Sequence, residues 1–437
     1  MNKKILIIGI ALLLVATVTA ISIFFVFPYL PNQAPKADES GSTQQGIQKV
    51  VDANNKFAFD LYSEFTKTEK GNIFYSPYSI SAALAMTYEG AKGQTADEIK
   101  SVFDFPGNSA LRPNFAAIYN NINKKNKPYK LNTGNALWAQ QDYKFLDQYI
   151  SAVENYYGGK AANLDFIKES EKSRQTINAF IEEQTNNRIK DLIPTGVLDS
   201  MTRLVITNAI YFKGSWELEF DKSDTREQDF KVTQSEIVKT QMMHMNPEKA
   251  RFNYAELENL QILELPYKGG EISVLILLPK QGEEYYPETE KTIVSDYTLE
   301  DIDLSLEKLN EYKSQMSETG LSAIYLPKFE FDTKYFMKET LSSLGMPTAF
   351  LGNADFSGMD GTKTLFISEV IHQAFVKVDE EGTQAAAATA VIMTKSSAGP
   401  SQRKIFRADH PFIFIIQEKN TGNILFIGRV TDPNKKI

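Results

Sequence analysis

The sequence predicts an α+β fold built as one large domain. Helix signals concentrate in the first half of the body and compact β-branched and aliphatic runs in the second, without the regular alternation that a doubly wound sheet requires. No internal repeat and no Gly/Pro-rich linker interrupts residues 49–437, so the length of 437 residues calls for no further division.

The helix signals come first along the body. Val50, Phe57, Leu61 and Phe65 share one face at helical spacing. Ser76 followed by Pro77 fits an N-cap with proline at the first helical position, feeding the apolar run from Ile80 to Met86. Thr95 and Glu98 fit a capping box that opens a helix toward Val102 and Phe103. Ile177, Phe180, Ile181 and Ile189 predict a further amphipathic helix. Strands are expected at Leu204 to Phe212, Ile272 to Leu278, Phe366 to Lys377, Phe412 to Ile416 and Ile424 to Ile427, the last two separated by turn residues Asn420, Gly422 and Asn423.

The N-terminus is a separate object. Ile5 to Phe27 is a run of 23 residues without a charge, flanked by Lys3, Lys4 and by Pro28. As a helix it would span about 35 Å, enough for a hydrocarbon layer of roughly 30 Å. Val18-Thr19-Ala20 resembles a signal cleavage site, but the apolar run continues to Phe27, which favours a retained signal-anchor over a removed signal peptide within residues 1–30. Either way the two lysines keep the N-terminus cytoplasmic, and the body is delivered outside, membrane-anchored or secreted. Residues 31–48 are polar and without apolar periodicity, and read as a flexible tether.

Composition excludes several chemistries. There are 47 Lys+Arg against 55 Asp+Glu, a net charge of −8, with no cationic block, which argues against a nucleic-acid partner. The absence of Cys removes disulfides, thiol nucleophiles and thiolate metal sites. The three histidines, His244, His372 and His410, belong to no Gly-x-Ser-x-Gly elbow and no His-Glu-x-x-His pair. Met242-Met243-His244-Met245 reads as a sulfur-rich strand rather than a soft-metal site. No enzyme activity, metal or cofactor is therefore expected.

One segment stands out. From Gly382 to Thr394 there is neither a proline nor a charge, and Ala385 to Ala388 are four consecutive alanines. Such a stretch reads equally as a short helix or a plain linker. Placed in a strand, it would carry Thr383, Ala385, Ala387, Thr389, Val391 and Met393 on one face and Gln384, Ala386, Ala388, Ala390 and Ile392 on the other. It could then enter the middle of a sheet.

This segment resembles the reactive-loop hinge of the serpins, and the likeness extends along the chain. Asn72 to Met86, Asn208 to Trp216, Leu326 to Phe329, Ala354 to Gly358 and Asp409 to Phe414 are similar to serpin signatures, in family order. The likeness is to inhibitory, prokaryotic-looking members of the family. It implies a serpin fold of about nine helices around three sheets, an exposed reactive loop, and trapping of a serine protease as its acyl-enzyme when the cleaved loop enters the central sheet. The hinge would be Glu380, Glu381, Gly382, Thr383, Gln384, Ala385, Ala386, Ala387, Ala388 and Thr389. Ser76, Ser79, Asn208 and His372 match the family's shutter under the central sheet. Trp216, Lys328 and Glu380 match its breach, where a Lys328–Glu380 pair at the surface would be worth little.

Family spacing places the scissile bond at Ser396-Ser397, which suits elastase-like or subtilisin-like proteases. A register shorter by one residue gives Lys395-Ser396 and a trypsin-like partner. The family likeness also implies a monomer. The alternative to an inhibitor is a non-inhibitory serpin-fold binding or chaperone-like protein at the cell surface.

Overall fold

The computed structural model describes residues 36–124, 126–247, 250–286, 291–383 and 404–435. The expected anchor at 5–27 lies outside them; among the described residues, no helix is long and apolar enough to cross a membrane. The described residues contain nine α-helices, three sheets and a separate two-stranded ribbon.

The helices are α1 (Gln44–Thr68), α2 (Pro77–Gly90), α3 (Gly93–Phe103), α4 (Asn108–Ile122), α5 (Asp147–Tyr157), α6 (Ser170–Gln184), α7 (Leu306–Ser314), α8 (Lys338–Leu344) and α9 (Ser357–Asp360). The periodic apolar face of the first helix is buried through Val50, Phe57, Leu61 and Phe65. At α2 the Ser76 hydroxyl accepts the Ser79 N–H at 3.1 Å, and Pro77 occupies the first turn, where its missing N–H costs nothing.

Three local expectations are corrected. The stretch read as a tether is fixed to the body from residue 36 onward. Ala37 exchanges two hydrogen bonds of 2.9 Å with the Asn120 side chain, Asp38 N–H donates to the Asn155 carbonyl, and Thr43 caps α1. These are polar contacts, which leave no hydropathy signature. The capping box at Thr95 and Glu98 does not form. Lys92 is the N-cap of α3, while the Thr95 hydroxyl accepts from Asp355 N–H and Glu98 accepts from the Thr348 N–H and hydroxyl. Distant partners outcompeted the local cap. Helix α6 stops at Gln184, because Asn186 and Asn187 turn the chain at φ of 54° and 58°; Ile189 nonetheless rejoins Ile177 and Ile181 in one apolar cluster.

The central sheet holds β2 (Tyr129–Thr133), β3 (Ala136–Gln140), β4 (Lys160–Leu164), β5 (Leu204–Ser215), β15 (Phe329–Phe336), β16 (Ile367–Asp379) and β17 (Gly382–Thr383), in the order β15-β16-β17-β5-β3-β4, with β2 also on β5. A second sheet runs β1-β20-β19-β10-β9-β8-β13, from Ile73–Tyr75, Asn423–Val430, Phe412–Glu418, Ile272–Pro279, Leu260–Pro266, Arg251–Glu256 and Ser317–Gly320. A third runs β18-β14-β7-β6, from Ile405–Arg407, Ala323–Pro327, Ile237–Met245 and Arg226–Lys231. The ribbon pairs β11 (Gln281–Tyr286) with β12 (Lys291–Asp296).

The main core lies between the inward face of the central sheet, α2 and the second sheet, whose strands β10, β19 and β20 are buried along their whole length. On the outward face, a smaller cluster packs α6 over Trp138, Val205, Ala209 and Ile371. The central sheet is thus covered on both sides where β5 meets β16.

Candidate functional site

Two long strands meet in the middle of the central sheet. β5 and β16 pair in parallel from Leu204 with Ile367 to Tyr211 with Phe375, placing His372 opposite Asn208. At the upper end they part, and β17 stands between them as a two-residue wedge. Thr383 pairs antiparallel with Val378 on one side and Gly214 on the other; Gly382 pairs with Asp379 and Ser215. Gly382 has φ +147°, and a Cβ there would run into the Gly214 carbonyl, so glycine is required at this position.

Under the seam lies a buried polar cluster. Ser76, Ser79, Asn208 and His372 are each fully buried, and the fold brings the four together. The Ser76 N–H donates to His372 Nε2 at 3.2 Å, so the ring proton sits on Nδ1 and is given to Asn208 Oδ1. Asn208 Nδ2 donates to the Ser79 hydroxyl and carbonyl and to Asn135 Oδ1, each at 2.6 Å. The Ser76 hydroxyl donates to the Leu425 carbonyl at 2.6 Å, tying the cluster to the second sheet. Burial pushes the His372 imidazole down to about 3, so it stays neutral near pH 7. A protonated ring would point its Nε2–H at another N–H.

The wedge is held by a second cluster. The Trp216 indole donates to the Asp379 carbonyl at 3.0 Å and stacks on Tyr267 at 4.6 Å. The Tyr267 hydroxyl meets the Thr383 hydroxyl at 2.7 Å, and Thr383 is buried. Trp216 N–H and Phe220 N–H donate to the carbonyls of Glu381 and Glu380. Lys328 reaches both Glu380 oxygens, at 2.8 and 3.0 Å, and the Thr225 hydroxyl donates to Glu380 at 2.8 Å. Burial works to raise the Glu380 carboxyl, but the hydrogen bonds from Lys328 and Thr225 hold it below its usual range. Lys222 pairs with Glu381.

This corrects the expectation of a weak surface pair, since Glu380 is only 4% exposed. Lys328 compensates a carboxylate with little water of its own. Sequence reasoning also missed Asn135, Tyr267, Thr225 and Lys222. None carries a local signal: Asn135 meets Asn208 from 73 residues away and Tyr267 meets Thr383 from 116.

The remaining expected site residues, Gln384, Ala385, Ala386, Ala387, Ala388, Thr389, Lys395, Ser396 and Ser397, lie outside the described residues. They belong to the stretch 384–403, whose described ends are Thr383 in the central sheet and Lys404 at the third. Met242 to Met245 form part of β7, with both Met242 and Met243 buried and His244 stacked on Tyr325. Among the described residues, no group of three or more His, Asp or Glu could hold a metal.

The chain matches the family model described as "Serpin (serine protease inhibitor)" over residues 52–433. It is 43% identical over 393 residues to an uncharacterized serpin-like protein of Methanosarcina mazei, covering 89% of this chain and 88% of that one. It is 38% identical over 389 residues to the leukocyte elastase inhibitor of Bos taurus, covering 89% of this chain and all of that one. Among solved structures, human thyroxine-binding globulin is similar with a TM-score of 0.78 and 30% identity, over 89% of this chain and all of that one.

Proposed function

The chain belongs to the serpin family, and on that premise we propose that it is an irreversible suicide-substrate inhibitor of serine proteases, which traps the acyl-enzyme by inserting its cleaved loop between β5 and β16. The observation that carries this reading is a match of register. The residues flanking the wedge at Thr383 are Val378 and Gly214, and those facing each other lower down are His372 and Asn208; 378 − 214 and 372 − 208 both equal 164. A strand continuing down from Thr383 therefore meets both neighbours in register without a bulge. It would set Ala385 between Val376 and Phe212, Ala387 between Ala374 and Ile210, and Thr389 between His372 and Asn208, all facing inward.

Insertion replaces one parallel ladder with two antiparallel ones, which bond better per residue. Small residues suit a slot covered on both faces. In this reading Glu380 to Thr389 act as hinge, Ser76, Ser79, Asn208 and His372 as the polar closure that must open, and Trp216, Lys328 and Glu380 as the entry. The bait bond is Ser396-Ser397, with Lys395-Ser396 as the neighbouring register, so an elastase-like or subtilisin-like protease is the favoured partner and a trypsin-like one goes with the shifted bond. The apolar run at 5–27 anchors a monomeric, extracytoplasmic body.

The test is incubation with elastase, subtilisin and trypsin, followed by denaturing gels and mass mapping. A covalent complex with a new N-terminus at Ser397 supports the proposal. Cleavage by all three without any complex favours a non-inhibitory binding protein on the same scaffold.

A further inference from the structure

Two buried side-chain atoms over the seam have no hydrogen-bond partner among the described residues: Nε2 of Gln184, the last residue of α6, and Oε1 of Gln373 on β16. Both lie on the outward side of the central sheet. Gln373 follows Ile371 by two residues along the strand, and Ile371 packs with Ile181 of α6 and with Ala209 in the outer cluster. Ala209 of β5 is also the direct partner of Gln373 across the seam, one strand spacing of about 5 Å away. Gln184 stands beside the same residue. A Cβ built on Gly134 would come within 3.4 Å of Gln184 Cβ and 3.7 Å of Ala209 Cβ. The two amides thus hang over Ala209, one from the covering helix and one from the far strand.

The two atoms are complementary, a donor and an acceptor. The Gln373 amide is fixed in orientation, because its Nε2 donates to Asp332 Oδ2 at 2.9 Å and a carboxylate only accepts. Lys334, opposite Gln373 on β15, is committed to the Asp191 carbonyl at 2.7 Å. Gln373 is 4% exposed, which closes its oxygen off from bulk water. Leaving a buried donor and a buried acceptor unmet is costly. One buried water meets both, accepting from Gln184 and donating to Gln373.

We propose that Gln184 and Gln373 are joined through one buried water into a clasp that holds α6 down on the closed seam. Resting on the reading that β5 and β16 must part, they are positioning residues for the insertion step. A strand entering the seam moves Gln373 from one strand spacing beyond Ala209 to two, on the order of 10 Å. Gln184, packed beside Gly134 and Ala209, stays with β5, and a single water no longer reaches both amides. The clasp is made in the closed sheet and broken as it opens.

The test is a double-mutant cycle of Gln184→Leu, Gln373→Leu and both together, read in the intact protein and again after nicking of the loop. In the intact protein each single change should lower the melting midpoint by about 2 °C. The double variant should melt no lower than Gln373→Leu, since the second change removes an atom already left without its partner. After nicking, all three variants should gain thermal stability about fivefold faster than the wild type, the double no faster than the singles. A crystal structure of the intact protein should show one water within hydrogen-bond distance of both amides. Additive losses in the intact protein, entry rates equal to that of the wild type, or a Gln184 amide turned out to bulk solvent overturns the clasp. If nicking brings no gain of stability in any form, the insertion reading fails, and the cycle in the intact protein alone decides whether the two amides are joined.

Discussion

His372 and Asn208 face each other across the parallel β5–β16 ladder, and the Nδ1 proton of His372 is held by the Asn208 side-chain carbonyl. The two strands are therefore joined by side chains as well as backbone at the position where an entering strand would place Thr389. Opening the seam requires this bond to be exchanged, and the cluster beneath offers partners on both sides.

His372→Ala removes the acceptor of the buried Ser76 N–H and the donor to Asn208. Leaving such groups unsatisfied costs about 1–3 kcal/mol each. The intact protein should melt lower, and the loop-cleaved protein should lose less, because the inserted strand supplies new partners. Differential scanning calorimetry of both forms checks this; equal losses would place the cluster outside the opening step.

Acid should destabilise the fold through the same residue. The unfolded chain binds a proton at His372 below about 6.5, whereas the folded chain does so only near 3. Stability from this group is full above pH 6.5 and falls as pH drops toward 3. At pH 4.5 the loss is about 3 kcal/mol. Chemical denaturation at pH 7 and 4.5 should show it in the wild type and a smaller fall in His372→Gln.

Thr383→Arg tests the hinge. Thr383 is 1% exposed and bonded to Tyr267, so an arginine there would bury an unpaired cation at a cost of several kcal/mol. The variant should become a substrate, with stoichiometry of inhibition raised at least about tenfold. An undiminished yield of covalent complex would show that this position does not enter the sheet.

Gly382→Ala tests the wedge. The left-handed backbone and the Gly214 carbonyl exclude a Cβ, at a cost of about 1–3 kcal/mol, which the two-residue wedge is too short to absorb. The wedge should release, freeing Trp216 from its bond to Asp379 and shifting indole fluorescence, with Trp138 as the unaffected reference.

The sequence made local features legible: the Ser76-Pro77 cap, the periodic face of α1 and the long apolar strands each depend on near neighbours. The five ordered motifs carried the family, which the comparisons with known proteins show. What stayed hidden depends on distant pairing. The common offset of 164 between β5 and β16 exists only once the sheet is assembled. Asn135 and Tyr267 act through partners far along the chain, and the contacts of Ala37 and Asp38 are hydrogen bonds without an apolar pattern. Lys328 and Glu380 are residue types expected at the surface, and only the fold reveals that Glu380 is enclosed.

The most direct test of a centre that gains a strand is the melting temperature of the intact protein against that of protein nicked once within 384–403. Roughly a dozen new rungs, at about 1 kcal/mol each, should raise the midpoint by about 10 °C. A nicked protein that melts at or below the intact one would contradict the account.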